Sequence, residues 1–467
     1  MRLSAATLGG VPSGAARPGY DRASQRRGIV HLGLGAFHRA HQAVYTDDAM
    51  TAGDRDWAIT GVSMRSPRVQ EALAPQDGLY TVAERHSAGE RVAIVGAIRE
   101  LILAPHAPDM VMEALAAPST RVVTITVTEK GYHRGADGTL DIAALERLDG
   151  TIYHHLARAF GERRARGLPG LTIVPCDNLA DNGRVLDQAI AAYLDRFAPG
   201  VRRWFTAECA CPSTMVDRIV PAVADADLDR MEATLGLRDE AAIVTEPFRQ
   251  WVIEDRFAGA RPRWEAGGAQ FVADARPYET AKLRMLNGAH SALAYLGLSA
   301  RYDFVHEAIA DCAIRPVVER LMRQEAAASV DPAPNQNLDG YADTLFARFT
   351  NAALPHRLAQ IAADGSQKIG PRWLEPLAIN RARGLNSPAT LEALAAWVLH
   401  VRGIARPVDD PLADRLRALW LSAGSDGIVE ALFGSAGLFR AAWQATAADL
   451  VAVSEMVKSG SAGSARG

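Results

Sequence analysis

The first strong structural signal in the sequence is Gly28-Ile-Val-His-Leu-Gly-Leu-Gly35, an apolar run that ends in two closely spaced glycines. Residues 36–50 follow with the pattern of a helix, so the segment predicts a strand, a tight turn and a helix. Gly33 would permit the turn, and Gly35 would let a pyrophosphate approach the backbone where the helix begins. Because His38 occupies the third position of the G-x-G-x-x-G pattern, an ordinary glycine-rich turn is an equal alternative from the motif alone.

Strands and helices alternate beyond this motif, and the alternation indicates a mostly parallel sheet with helices on both faces. After about residue 278 the pattern becomes almost entirely helical. We therefore expect an α/β domain over residues 1–275 and a mainly α-helical C-terminal domain over residues 276–458. The Ser/Gly/Ala-rich tail at 459–467 is expected to be disordered.

The expected elements can be placed along the chain from their periodicity. The further strands of the α/β domain are expected at 57–64, 91–98, 121–128 and 171–175, with a helical pattern at 141–166. The helices of the C-terminal domain are expected at 279–296, 305–328, 338–348, 356–363, 388–402 and, in pieces, 414–455.

Composition narrows the classes of function that the chain can have. It has 467 residues, with 51 Lys and Arg against 54 Asp and Glu, and the net charge of -3 argues against a nucleic-acid binder. No apolar run reaches the roughly 18 residues that a membrane span needs, and the start lacks the apolar core of a secretory signal. The four cysteines contain no C-x-x-C pair. We therefore expect no disulfide framework and a reducing, cytoplasmic location.

Motif spacing disfavours metal-dependent and serine-hydrolase chemistry. Cys176, Cys209 and Cys211 lack the spacing of a structural zinc site, and His38 with His41 lacks it too. No G-x-S-x-G elbow occurs in the sequence. We therefore expect a site that contains no metal ion.

Polar residues follow three of the predicted strands, at the edge where a doubly wound sheet presents its ligand crevice. Cys176-Asp-Asn-Leu-Ala-Asp-Asn-Gly183 follows one strand, and Thr126-Val-Thr-Glu-Lys-Gly131 ends another. An Asx turn or a helix cap is the alternative interpretation of the Asp and Asn residues. The second strand ends in Met64-Arg-Ser-Pro-Arg68, which offers no acid for the ribose of NAD. Its arginines would tolerate a 2′-phosphate, or they are simply solvated.

The segment Pro277-Tyr-Glu-Thr-Ala-Lys-Leu-Arg-Met-Leu-Asn-Gly-Ala-His-Ser291 places polar side chains on one side of a predicted helix. At about 100° per residue, Glu279, His290 and Asn287 would lie roughly 60°, 80° and 140° from Lys282. Burying these groups costs free energy unless each finds a partner, so a satisfied polar network at a domain interface is the structural alternative. A desolvated lysine can act as a general base, asparagine can donate to an alkoxide, and histidine can hold a hydroxyl. The set suits the metal-free oxidation of a secondary alcohol.

These motifs occur in a combination that is far more specific than the glycine pair alone. The helix carries the pattern K-x-x-x-x-N-x-x-H at Lys282, Asn287 and His290. It occurs together with Arg17-Pro-Gly-Tyr-Asp-Arg22, Gly33-Leu-Gly-Ala-Phe-His-Arg-Ala-His-Gln42, Cys176-Asp-Asn178, Thr214-Met-Val-Asp-Arg-Ile219 and Glu246-Pro-Phe-Arg-Gln-Trp-Val-Ile-Glu-Asp255. The chain thereby resembles, over nearly its whole length, the long-chain mannitol dehydrogenase family of polyol and sugar-acid dehydrogenases.

The resemblance implies a Rossmann-type N-terminal domain, a mainly helical C-terminal domain and an active site between them. It implies that Lys282 is the general base and that Asn178 and Asn287 together stabilise the oxyanion. His290 would orient the substrate. Glu279 would lie beside a proton path to solvent.

The resemblance also implies contacts to the substrate and to the cofactor. Asp217 and Lys368 would face the substrate. The cofactor-binding positions would be Gly33, Leu34, Gly35, Ala36, Phe37, His38, Thr128 and Glu129. The family is zinc-independent and mostly uses NAD, while the missing acid leaves NADP open.

Within this family, the segment His356-Arg-Leu-Ala-Gln-Ile-Ala-Ala-Asp-Gly-Ser-Gln-Lys368 looks most like the fructuronate reductases, or D-mannonate oxidoreductases. Mannitol members tend to carry Arg and His where this chain has Gln360 and Ala363. A sugar acid needs a cation for its carboxylate, and Lys368 is the first choice, with Arg357 and Arg372 nearby.

We therefore expect an NAD-dependent oxidoreductase that interconverts D-mannonate and D-fructuronate, with a small-molecule sugar acid or polyol as its partner. A mannitol 2-dehydrogenase or an arabinitol dehydrogenase is the alternative within the family. A catalytically silent nucleotide-binding regulator is the alternative from another class, and the intact Lys282, Asn287 and His290 speak against it. The sequence predicts neither the oligomeric state nor the physiological direction.

Overall fold

The computed structural model describes residues 1–135, 138–404 and 406–464. The chain divides into two compact units, Met1–Arg276 and Pro277–Gly467, which we call the N-terminal and C-terminal units. Each unit buries apolar clusters of its own. None of the helices in the described ranges is both long and apolar enough to cross a membrane.

The N-terminal unit is built around a parallel sheet. Its described strands are β1 (Arg27–Leu32), β2 (Ala58–Ser63), β3 (Tyr80–His86), β4 (Gly89–Val95), β5 (Ile98–Leu103), β6 (Val122–Ile125), β7 (Thr172–Pro175), β8 (Thr214–Asp217), β9 (Ile243–Thr245), β10 (Gln250–Glu254) and β11 (Gln270–Val272). The central sheet has the order β5-β2-β1-β6-β7, and all its strands are parallel. Two three-stranded sheets, β11-β10-β8 and β4-β3-β9, complete the β-structure of the described residues.

Strand β1 lies at the centre of this sheet because its residues 28–32 are buried and apolar or hydrogen-bonded. The chain extends the sheet through β2 and β5 on one side of β1 and then returns through β6 and β7 on the other. The order therefore reverses between β1 and β6, and ligands of open α/β sheets bind at such a switch point. The sheet and the helical C-terminal unit confirm the predicted fold class.

Helices cover the sheet and form the C-terminal unit. The α-helices of the N-terminal unit are Ala36–Ala40, Gln42–Thr51, Arg68–Leu73, Pro108–Ala116, Ile142–Leu145, Ile152–Ala165, Asn182–Phe197, Pro199–Glu208 and Asp225–Leu235. The helices after residue 275 are Arg276–Ala281, Gly288–Ser299, Val305–Ala310, Ile314–Arg320, Ala327–Ser329, Leu338–Phe349, Leu358–Ala362, Gly365–Ile369, Glu375–Ala382, Pro388–His400, Ala413–Phe433 and Ala447–Ser464. Segments of π-helix join several of them, at Lys282–Asn287, Leu321–Ala326 and Gly370–Leu374.

The helix predicted over 36–50 is in fact two helices separated by His41. The backbone of His41 has φ −124° and ψ −88°, which ends the first helix. The His41 ring lies 2.8 Å from the carbonyl oxygen of Gln250 on β10. A contact with a residue 209 positions away therefore overrides the local helical preference.

The strand predicted over 91–98 spans the end of β4 and the start of β5. The chain leaves the first strand at Gly96, whose N–H donates to Asp47 at 2.7 Å. Its carbonyl accepts a hydrogen bond from Arg22 at 2.9 Å. The N–H and carbonyl groups of Gly96 are therefore bonded to side chains and are not available to continue the strand.

The last helix extends into the C-terminal tail. The final helix, Ala447–Ser464, includes most of the segment 459–467 that was expected to be disordered. Gly460 packs against Leu399, and a Cβ atom at this position would come within 2.5 Å of the Leu399 side chain. The small residue thus permits a close helix contact. Residues 465–467 lie outside the described part of the chain.

The four cysteines are free thiols that differ in exposure. Cys176 and Cys211 are buried, and burial raises the pKa of both thiols well above the ordinary value. Cys209 is partly buried, and burial raises the pKa of its thiol to about 12. Cys312, in the C-terminal unit, is exposed.

Candidate active site

The glycine pair after β1 has two different structural roles. Gly33 has φ +100°, and a Cβ atom there would overlap the carbonyl oxygen of Thr126. Gly35 has no such neighbour, because a Cβ atom there would meet only the Gly33 carbonyl oxygen, at 3.7 Å. The fold therefore requires glycine at position 33, whereas glycine at position 35 leaves open space above the turn.

A cleft of about 400 Å³ lies over this turn at the carboxyl edge of the sheet. Its lining includes Gly33, Leu34, Gly35, residues 63–66 at the end of β2, residues 126–128 after β6, His133 and residues 148–152. Four of the predicted cofactor-binding residues, Gly33, Leu34, Gly35 and Thr128, thus line one cleft. Ala36, Phe37 and His38 lie in the short helix behind the turn, and Glu129 begins the 3-10 turn Glu129–Tyr132.

The His38 ring packs inside the protein. It stacks on His31 of β1 with the ring centroids 3.4 Å apart. Neither ring nitrogen of His38 has a hydrogen-bond partner among the described residues. Burial holds the pKa of His38 well below its ordinary value and lowers the pKa of His31 to about 3. Both rings are therefore neutral at pH 7. His31 contacts the glycine turn directly, because its Nε2 lies 3.1 Å from the carbonyl oxygen of Gly33.

Asn178 lies in the loop that follows β7, and its neighbours hold that loop in place. Asp177, the residue before Asn178, accepts a hydrogen bond from the Tyr132 hydroxyl. Asn182 donates to the Thr214 carbonyl at 3.0 Å and accepts from the Thr214 N–H at 2.8 Å. The Asn178 side chain itself is exposed on this anchored loop. The Asx-type hydrogen bond expected as an alternative is made by Asp177, which accepts from the Leu179 N–H at 3.0 Å.

Asp217 ends β8, where it pairs with Gln250 on β10. Its neighbour Arg218 donates to Glu84 at 2.6 Å and to the Glu246 carbonyl at 2.9 Å. The Arg218 side chain is completely buried. These bonds fix the backbone at the end of β8, and Asp217 is 7% exposed there.

Lys282 and Asn287 are the first and last residues of a π-helical turn within a longer helix. Hydrogen bonds in a π-helix run between residues i and i+5, so these two residues lie one turn apart, one above the other. The separation of about 140° expected from regular helix geometry is therefore wrong. His290 follows Asn287 by three residues of α-helix and lies on the same side. Glu279 precedes Lys282 by one α-helical turn.

His290 is buried in an aromatic environment of the C-terminal unit. Its ring centroid lies 4.8 Å from that of Phe349 and 5.4 Å from that of His356. Burial, with a further contribution from His356, holds the pKa of His290 well below its ordinary value. The neutral imidazole can therefore donate to or accept from a hydroxyl group at pH 7.

Lys368 lies on the helix Gly365–Ile369, which leads into another π-helical turn. Its ammonium group donates to the carbonyl oxygens of Ala363 and Ile361. Two of its three donors are thereby used, and one is available for a ligand. Burial, followed by the charge of Arg372, lowers the pKa of Lys368.

Arg372 connects this segment to the helix that carries Lys282. Its guanidinium donates to the Ser291 hydroxyl at 2.7 Å and to the Asn287 carbonyl at 3.3 Å. It makes no salt bridge with any residue in the described ranges. Burial lowers the pKa of Arg372 to about 10, so the group is still a cation at pH 7. Arg357, by contrast, is exposed and lies over the Phe304 ring.

The structure thus places four predicted cofactor-binding residues around one cleft of the N-terminal unit, whereas Asn178 follows β7, Asp217 ends β8 and neither lines it. The remaining predicted catalytic and substrate-binding residues, Glu279, Lys282, Asn287, His290 and Lys368, lie on helices of the C-terminal unit. The π-helical turn was missed because no local pattern encodes it. Ser63 and His133, which line the cleft, were also missed. The position of Ser63 at the end of a predicted strand was a usable signal, whereas His133 follows a 3-10 turn that no pattern indicated. Within the described residues, no three His, Cys, Asp or Glu side chains converge as metal ligands.

Comparisons with known proteins agree over most of the chain. The family model for the mannitol dehydrogenase Rossmann domain matches residues 27–266, and that for the mannitol dehydrogenase C-terminal domain matches residues 274–451. The chain is 38% identical to the D-mannonate oxidoreductase of Escherichia coli, with 91% of each chain covered. It is 35% identical to a mannitol dehydrogenase of Saccharomyces cerevisiae, with 91% of this chain and 88% of the yeast protein covered.

A solved structure shows the same fold. It is the Pseudomonas fluorescens mannitol 2-dehydrogenase in a ternary complex with NAD and D-mannitol, which is 32% identical with a TM-score of 0.81. The match covers 98% of this chain and 96% of that chain. With both family domains matched in order, the protein belongs to the mannitol dehydrogenase family of oxidoreductases.

Proposed function

We propose that the protein is an NAD-dependent secondary-alcohol dehydrogenase that interconverts D-mannonate and D-fructuronate by metal-free hydride transfer. Lys282 is its general acid and base, and Asn178, Asn287 and His290 contact the reacting hydroxyl or carbonyl group. A cytoplasmic location is part of the proposal. The observation that carries the sugar-acid substrate is Arg372, a partly buried cation without a carboxylate partner among the described residues.

The N-terminal unit fits a dinucleotide cofactor. The open space at Gly35 admits a pyrophosphate against the backbone, as the second glycine of a dinucleotide fingerprint does. The cleft above it lies at the reversal of strand order, where such ligands bind. When bound there, NAD supplies the acceptor for the hydride. The residues that would hold it are Gly33, Leu34, Gly35 and Thr128, with the backbone of 36–38 behind them.

The chain's own groups manage the proton and the oxygen. In oxidation, neutral Lys282 removes the hydroxyl proton; in reduction, its ammonium form returns that proton to the alkoxide. Asn178 and Asn287 donate hydrogen bonds to the oxygen as charge develops on it. Neutral His290 holds a neighbouring hydroxyl, and Glu279 passes protons between Lys282 and solvent.

The cations beside this helix account for a sugar acid better than for a neutral polyol. Arg372 lies against the backbone of Asn287 and forms no ion pair with the part of the chain that the structure describes, so an anionic substrate would compensate a partly buried charge. Lys368 retains one free donor within the same segment. Gln360 and Ala363 also stand where mannitol members tend to carry Arg and His.

The test is to measure catalytic efficiency with NADH for fructuronate and for fructose, which lacks the carboxylate. A charge-assisted hydrogen bond is worth about 1.5–3 kcal/mol, so we expect the parent to prefer fructuronate by roughly tenfold to a hundredfold. Arg372→Met and Lys368→Met should each be compared with the exposed control Arg357→Met. The cation that binds the carboxylate is the one whose loss reduces activity on fructuronate far more than on fructose.

An equal loss on both sugars would assign that cation to a shared hydroxyl. A parent enzyme that prefers fructose would contradict the proposal and favour a mannitol 2-dehydrogenase or an arabinitol dehydrogenase. An absence of turnover on all of these sugars would favour the nucleotide-binding regulator.

A further inference from the structure

The rim of the cofactor cleft is cationic at the end of β2. This strand ends at Ser63, and Met64, Arg65 and Ser66 continue along the cleft. In Rossmann-type sheets an Asp or Glu near this position binds the ribose 2′-hydroxyl of NAD, whereas an arginine accommodates the 2′-phosphate of NADP. At that position this chain therefore carries an arginine, which suits an anion, and not the acid that binds a ribose hydroxyl.

Two polar groups at this rim have no partner within the described residues. Ser63 is 5% exposed, and its buried hydroxyl makes no hydrogen bond. A buried hydroxyl without a partner costs free energy, which a ligand oxygen would recover. The Arg65 side chain is exposed and forms neither a salt bridge nor a hydrogen bond with the described residues.

His133 lines the same cleft, and burial followed by the charge of Arg65 lowers the pKa of His133. At pH 7 the positive charge of this rim therefore belongs to Arg65 and not to His133. Among the side chains described around this cleft, Asp149 carries the one carboxylate. That carboxylate is fully exposed and lies 3.9 Å from the His154 ring, so it leaves the charge of Arg65 uncompensated.

We propose that Arg65, with the hydroxyls of Ser63 and Ser66, forms a subsite for the 2′-phosphate of NADP, so that the enzyme uses NADP as well as NAD. A guanidinium binds phosphate through two parallel hydrogen bonds, and both serines can donate to the remaining oxygens. This subsite rests on the proposed function only in requiring a dinucleotide in the cleft. It does not depend on which sugar is oxidised.

The direct test is a binding measurement that needs no substrate. Adenosine 2′,5′-bisphosphate and 5′-AMP differ only in the 2′-phosphate, and titration calorimetry gives a Kd for each. The parent should bind the bisphosphate at least as tightly as 5′-AMP. Arg65→Ala should weaken binding of the bisphosphate by about ten- to a hundredfold and change 5′-AMP by less than twofold.

The matched control is Arg68→Ala, an exposed arginine three residues later that does not line the cleft. It should leave both dissociation constants within twofold. The subsite is refuted if the parent binds the bisphosphate tenfold more weakly than 5′-AMP. It is refuted equally if Arg65→Ala leaves the ratio of the two constants within threefold of the parent's.

A second measurement uses the complete reaction. The ratio of kcat/KM with NADPH to that with NADH should fall in Arg65→Ala and stay constant in Arg68→Ala. If the sugar assignment is wrong, turnover is absent with both cofactors while the calorimetric result stands. If the subsite is wrong, turnover with NADH persists and the calorimetric difference is absent. The two failures are therefore distinguishable.

Discussion

In the proposed reaction, the amino group of Lys282 is the group that takes and returns the proton. We predict that Lys282→Ala lowers kcat by about 10²- to 10⁴-fold, the usual contribution of a positioned acid or base. The Kd for NADH should stay within twofold, since no lysine lines the cofactor cleft among its described residues. Lys458→Ala, on the last helix, is the control. Turnover of the variant within tenfold of the parent would show that Lys282 is not the general acid and base. Inhibition of the parent by EDTA would indicate a metal site after all.

At Gly35, the effect of a larger side chain on cofactor binding can be separated from its effect on stability. Because a Cβ atom at position 35 has room, Gly35→Val should leave the melting temperature nearly unchanged. The valine would occupy the space of the pyrophosphate, so we predict that the Kd for NADH rises at least tenfold. Gly33→Val is the contrasting variant and should lower the melting temperature, since its Cβ would overlap Thr126. Normal NADH binding by Gly35→Val would contradict the proposed cofactor position.

At the scale of elements, the sequence predicted those strands, turns and helices that depend only on residues close together in the chain. The apolar run and glycine pair at 28–35 encode a strand and a turn, and the structure has both there. The break at His41 depends on Gln250, far along the chain. Donors from another segment contact the end of the π-helical turn. Arg372 donates to the Asn287 carbonyl at 3.3 Å, and Trp373 donates to the carbonyl of the next residue, Gly288, at 3.2 Å. Such distant partners leave no periodic pattern in the sequence.

The spacing of Lys282 and Asn287 across the π-helical turn should itself be necessary for activity. Inserting one alanine after Leu283 would place the two residues six positions apart and rotate Lys282 by about 100° relative to Asn287. We predict a loss of kcat comparable to that of Lys282→Ala, with the helical circular dichroism and the Kd for NADH retained. Leu283→Ala keeps the chain length and should retain kcat within tenfold. Full activity of the insertion variant would show that this spacing is dispensable.

At the scale of the whole molecule, several buried histidines make stability depend on pH. Burial lowers the pKa of His31 and His41 to about 3 and that of His155 to about 4. The unfolded chain, with ordinary histidine pKa values near 6.5, binds more protons than the folded chain below that pH. Their contribution is therefore fully present above about pH 6.5 and is lost as the pH falls. Asp47, whose pKa burial raises to about 6, acts in the opposite direction.

We predict that the free energy of unfolding, measured with urea, falls between pH 7 and pH 5. Each such histidine adds about 1.4 kcal/mol per pH unit once the unfolded form is protonated. His31→Gln should make this dependence shallower, and the exposed His86→Gln should leave its slope unchanged. A free energy that is constant from pH 7 to pH 5 would contradict the prediction.

The unequal exposure of the cysteines makes the protein a convenient subject for single-site labelling. Maleimides react with accessible thiolates, and burial both shields Cys176, Cys209 and Cys211 and keeps them protonated. A fluorophore should therefore attach first at Cys312, without any engineered substitution. Since Cys312 belongs to the C-terminal unit, the dye would report from the half of the enzyme that carries Lys282, while the cofactor's own nicotinamide fluorescence reports from the other half.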